Sequence, residues 1–166
     1  MGQRRGMHRK GYSALRRHRS SLPGQAYLLT TVCRGRARLF AEPALARVVA
    51  TAMSAPPPWR DASLLAWVLM PNHWHGLVQL GSRSPLSALM QRAKADASRD
   101  AALAFGLRPL WQAGFHERMV RSDVDLRVLA RYVVANPIRA GLVTRLADYP
   151  GWGCAWGEAA LEDPFD

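Results

Sequence analysis

SLLAWVLMPNHWHGLVQL, residues 63–80, is the stretch that decides the fold. Ser63 to Met70 and Trp74 to Leu80 are apolar runs, and Pro71-Asn72 between them suits a tight turn. The stretch therefore predicts a hairpin of two paired strands. The second strand opens on His73 and His75, which are two residues apart and so point to the same face. Trp74 between them points to the opposite face and is expected in the core.

Upstream, Leu22-Pro23-Gly24 marks a turn. Tyr27 to Cys33 (YLLTTVC) is a strand-forming run without a breaker, and Glu42 to Ser54 carries Leu45, Val48, Val49 and Ala52 at helical spacing before Pro56-Pro57-Pro58 stops it. Downstream, Ser84 to Ala104 places Leu86, Leu89, Met90, Ala93 and Ala97 on one helical stripe, with Ser84-Pro85 as N-cap and first position. Phe115 to Arg121 reads as a further strand. Asp123 to Ala135 reads as a helix that Asn136-Pro137 ends.

The order is strand-helix-strand-strand-helix-strand-helix. A central hairpin between two crossover helices predicts an α+β, ferredoxin-like (RRM-like) fold, an antiparallel sheet with helices on one side. At 166 residues with 49% apolar content the chain suits one domain. Residues 1–21, crowded with Arg, His, Gly and Ser, read as a flexible basic arm; residues 22–157 form the domain, and residues 158–166 an acidic tail.

Lys plus Arg number 23 against 12 Asp plus Glu, for a formal charge of +11. Such a field favours a polyanionic partner, and arginine, which dominates the excess, presents a planar fork to phosphate. Cys33 and Cys154 form no CxxC pair, which argues against a disulfide scaffold or a cysteine zinc site and fits a reducing cytoplasm. No apolar run is long enough to span a bilayer, and the basic N-terminus lacks the hydrophobic region of a signal peptide, so no membrane partner is expected.

A lone His-x-His on a strand is more often structural than ligating. The second pattern shifts the balance: Tyr132 and Asn136 are four residues apart and stack on one helical face, bringing a nucleophile beside an oxygen ligand. At the helix's C-terminal end, where Asn136 is expected, the unpaired carbonyls favour a nearby cation. A free phenol titrates near ~10 and is protonated at neutral pH, so its attack on phosphate needs help with proton and charge. Two imidazoles and an amide oxygen would leave open positions on a divalent ion, and suit Mg²⁺ or Mn²⁺ better than Zn²⁺.

Four stretches carry a resemblance: Leu22 to Phe40 (LPGQAYLLTTVCRGRARLF), Trp67 to Leu80 (WVLMPNHWHGLVQL), Trp111 to Val120 (WQAGFHERMV) and Tyr132 to Val143 (YVVANPIRAGLV). Together, and in this order, they resemble the HUH single-tyrosine transposases, and among them the REP-associated tyrosine transposases. The resemblance implies an HUH endonuclease/transposase fold and a metal-dependent cut-and-join reaction on single-stranded or hairpin DNA. It makes Tyr132 the residue that forms a 5′-phosphotyrosine link and His73, His75 and Asn136 the metal ligands. Resealing would be the reverse transfer, without a nucleotide cofactor. Arg4, Arg5, Arg16, Arg17 and Arg19 of the arm, with Arg34, Arg36, Arg118 and Arg139, make up the expected DNA contacts. A monomer is favoured over a homodimer.

Two alternatives remain at this stage. One is a passive nucleic-acid binder on the same sheet, with Tyr27, Trp67 and Trp111 stacking on bases. The other is a zinc hydrolase using His73, His75 and His116, with Glu117 as the water-activating carboxylate.

Overall fold

The computed structural model describes residues 21–157. The basic arm expected over residues 1–21, with Arg4, Arg5, Arg16, Arg17 and Arg19, lies outside the described residues except for Ser21, and so does the acidic tail over residues 158–166. Strands β1 (Ala26–Val32), β2 (Ala62–Met70), β3 (His73–Leu80), β4 (His116–Met119) and β5 (Trp152–Cys154) form one antiparallel sheet in the order β4-β1-β3-β2-β5. Helix α1 (Pro43–Ser54) connects β1 to β2, and α2 (Leu86–Phe105) connects β3 to β4. These four strands and two crossovers are the ferredoxin-like arrangement read from the sequence.

The hairpin forms where residues 63–80 predict it. β2 and β3 pair from Ala62↔Leu80 to Met70↔His73, with a shift in register between Leu64 and Ala66. Asp125 caps the helix that follows β4, its carboxylate accepting from the Arg127 amide at 2.8 Å. Pro85 is the residue before α2 rather than its first helical position. β5 has three residues, too few to show the alternation by which strands are recognised.

Alternation along the strands divides the interior in two. Tyr27, Leu29, Leu69, Trp74 and Val78 pack with α1 and α2 on one face. Trp74 is fully buried there and stacks on Trp59, ring centroids 5.9 Å apart. On the other face Ala66, Val68, Met70 and Leu77 meet Ala130, Val133 and Val134 of α3 (Leu126–Val134). Thus the two crossover helices share one side, whereas α3 lies on the opposite side. The physical cause is the outward face of the central strands: Val68, Met70 and Leu77 are apolar and need covering from water.

The helix carrying Tyr132 does not simply stop at proline. α3 ends at Val134, Ala135 is its C-cap, and the chain restarts as the single turn α4 (Asn136–Arg139). Pro137 has no amide hydrogen to donate, but the first turn of a helix does not require one. Asn136 therefore begins a new turn instead of ending the old helix.

Candidate active site

His73 and His75 lie on the face of β3 that α3 partly covers. The register sets Thr30 of β1 between His75 of β3 and His116 of β4, three polar side chains in a row across the sheet. A cavity of about 380 Å³ opens over this row, lined by Leu28, Thr30, His73, His75, His116, Glu117, Arg118, Tyr132 and Asn136. The helix supplies the far wall. Ala130, Val133 and Val134 are buried against the sheet, so Tyr132 and Asn136 stand beside the contact rather than within it.

Both imidazoles are held through one nitrogen. His75 Nδ1 is hydrogen bonded to Thr30 Oγ1 at 2.7 Å, and His73 Nδ1 to Asn72 Oδ1 at 2.7 Å. Burial, together with the neighbouring His73 charge, pushes the His75 imidazole down to about 4. Burial and the Arg36 guanidinium also lower that of His73. Both rings accordingly favour the neutral form, the one that binds metal.

Asn136 has both ends of its carboxamide engaged: Nδ2 donates to the Val133 carbonyl at 2.7 Å and Oδ1 accepts from Arg139 Nη2 at 2.9 Å. Tyr132 keeps 53% of its surface exposed, enough for its phenol to meet a macromolecular substrate.

The described residues contain no cluster of three His, Cys, Asp or Glu side chains placed to hold an ion. This counts against a zinc site built from His73, His75 and His116. Glu117 lies opposite Leu29 in the register, the position of the α1/α2 face, although it lines the cavity. The donor set of two neutral imidazoles, each with one nitrogen already engaged, plus a nearby amide oxygen nevertheless fits a divalent ion.

Residues 22–136 match the family described as Transposase IS200 like. The chain belongs to the IS200-like transposase family. A REP-associated tyrosine transposase from Escherichia coli (strain K12) is 29% identical over 92 residues, which are 55% of this chain and 53% of that protein. The match thus spans about half the length of this curated relative. Among solved structures, a REP-associated tyrosine transposase bound to a REP hairpin superposes with a TM-score of 0.59 and 25% identity, over 81% of this chain and 79% of that one.

In this member of the IS200-like transposase family, Tyr132, His73, His75 and Asn136 share the one cavity, and Arg118 lines it. Arg36 acts electrostatically on His73, and both His75 and Tyr132 feel Arg139. Arg34 lies elsewhere: it lines a larger cavity of about 1000 Å³ with Lys94, Arg108 and Trp111. Gly35 separates the two arginines at a turn where it and Arg36 both take positive φ.

The sequence reading missed Thr30. Its only signal is the register, which brings a β1 hydroxyl beside a β3 histidine and cannot be seen in either strand alone. The stacking aromatics of the passive-binder reading are corrected: Tyr27 and Trp111 are 4% and 8% exposed and belong to the core. Their apolar area stabilises the fold, and little of either ring is left for a base to stack on.

Proposed function

We propose that this protein is a metal-dependent endonuclease and strand transferase acting on single-stranded DNA. The observation that carries the reading is the convergence of Tyr132, His73, His75 and Asn136 on one cavity, from β3, α3 and α4. Residues remote in sequence are assembled around a space that an exposed phenol can share with a phosphodiester. The similarity to a transposase bound to a REP hairpin supports hairpin DNA as substrate.

Tyr132 is the nucleophile. Its phenolic oxygen forms a bond to phosphorus while the bond from phosphorus to the 3′-oxygen breaks. The 5′-phosphate stays on Tyr132, the phenolic proton is lost, and the leaving 3′-oxygen takes up a proton as a free hydroxyl. The reverse transfer to a 3′-hydroxyl reseals the strand without nucleotide hydrolysis.

His73 and His75, with Asn136, would hold Mg²⁺ or Mn²⁺, which supplies charge stabilisation at the scissile phosphate. Arg36 and Arg118 add positive charge at the cavity and favour a bound phosphate. Thr30 and Asn72 keep the imidazoles oriented.

The test is a labelled single-stranded hairpin incubated with the protein and Mn²⁺, then run on a denaturing gel. A covalent protein-DNA band is expected from wild type and none from Tyr132→Phe. An adduct that persists in the variant removes Tyr132 from this role. Salt-sensitive binding without any adduct would indicate the passive binder.

A further inference from the structure

Arg139 touches the candidate nucleophile in two ways and its neighbour in a third. Its guanidinium carbon lies 3.8 Å from the centroid of the Tyr132 ring. Nη1 donates to the Tyr132 carbonyl at 3.0 Å and Nη2 to Asn136 Oδ1 at 2.9 Å. Arg139 lies beyond residue 136, where the family match ends.

The break at Ala135 makes this hold possible. On an unbroken helix, residues seven apart are separated by about 10 Å along the axis. The restart at Asn136 lets the guanidinium fold back across the junction, onto the ring and carbonyl of the helix it follows. Fixing a side chain with so many rotatable bonds costs entropy, and the three contacts offset it.

We propose that Arg139 is the positioning residue of this site. It pins the exposed Tyr132 ring over the cavity and holds the Asn136 carboxamide, so that phenol and amide keep a constant relation as substrate enters. The inference rests on Tyr132 being the nucleophile. An exposed phenol without this hold would divide its time among rotamers, and misplacement of a reacting group by about 1 Å can cost on the order of 100-fold in rate.

The test uses the full chain with Arg139→Gln and Arg139→Lys. A single-stranded hairpin oligonucleotide serves as probe, with Kd measured in EDTA and single-turnover adduct formation at saturating DNA with Mn²⁺. Arg139→Gln is expected to lower the single-turnover rate roughly 10–100-fold while leaving Kd nearly unchanged. Arg139→Lys, which keeps a cation over the ring, should recover part of the loss. A weakened Kd with an unchanged rate at saturation overturns the proposal, because Arg139 would then be a plain phosphate contact.

A second readout needs neither DNA nor metal. N-acetylimidazole labelling of Tyr132, followed by peptide mass spectrometry with circular dichroism as the folding control, is expected to rise severalfold in Arg139→Gln and fall back in Arg139→Lys. Unchanged labelling overturns the hold on the ring. If wild type forms no adduct yet labelling responds as expected, the nucleophile reading falls and the hold stands.

Discussion

Thr30 Oγ1 and His75 Nδ1 lie 2.7 Å apart and join neighbouring strands β1 and β3 through their side chains. The bond fixes the ring of His75 and leaves its other nitrogen for the cavity. Outer partners of this kind typically change metal affinity 10–100-fold when removed. Thr30→Val keeps the shape and removes the hydroxyl, so Mn²⁺ binding by isothermal titration should weaken by about that factor. The melting temperature of the metal-free protein should change little. Unaltered affinity would show that Thr30 does not orient a ligand.

Acid should destabilise the metal-free protein. His75 sits at about 4 in the fold against an ordinary 6.5, and His73 is also lowered. Between these values the unfolded chain binds more protons than the folded one, so stability is highest above pH 6.5 and falls as pH drops toward 4. For His75 the total loss is up to about 3 kcal/mol. Urea melts at pH 7.5 and pH 5 read it directly, and His75→Gln should flatten the difference. A variant as pH-sensitive as wild type would assign the effect to other groups.

Gly76→Ala should be costly although the substitution adds one methyl group. A Cβ at Gly76 would clash with Cη2 of the Trp74 ring, which is stacked on Trp59 and fully buried. Overpacking of this kind costs about 1–3 kcal/mol. Thermal denaturation should show a clear drop, and near-ultraviolet circular dichroism should show a changed tryptophan environment. An unshifted transition would mean that the Trp74 ring can move aside.

The two thiols should react very differently. Burial pushes the Cys33 thiol up to about 12 and closes it to solvent, whereas Cys154 is half-buried on edge strand β5. In native buffer a thiol reagent should modify Cys154 first, with Cys33 labelled only as the chain unfolds. Rapid labelling of both would contradict the burial of Cys33 in the core that holds Phe40 and Trp111.

The hairpin and helices were legible because their signals are local. Residues 63–80 are two apolar runs around a proline turn, and residues 86–97 repeat an apolar stripe at helical spacing, so β2, β3 and α2 emerge near their observed bounds. Tyr132 and Asn136 were legible as a pair because helical spacing puts residues four apart together. β5 was not, since three residues cannot display a period. α4 was not either, since proline was read as an end and here opens a turn.

The sequence alone determined strands β1 to β4 and helices α1 to α3, their order, the strand face shared by His73 and His75 and the helical face shared by Tyr132 and Asn136. All of these follow from periodicities of two and 3.6 within single segments. Only the tertiary structure decided that those two faces oppose each other across one cavity and that α3 covers the side of the sheet away from α1 and α2. It alone showed that Thr30 supports His75, that Arg34 lines a different cavity and that Arg139 folds back onto Tyr132. These are relations between segments, set by strand register and by the burial of Val68, Met70 and Leu77 beneath Ala130, Val133 and Val134. No local period encodes them.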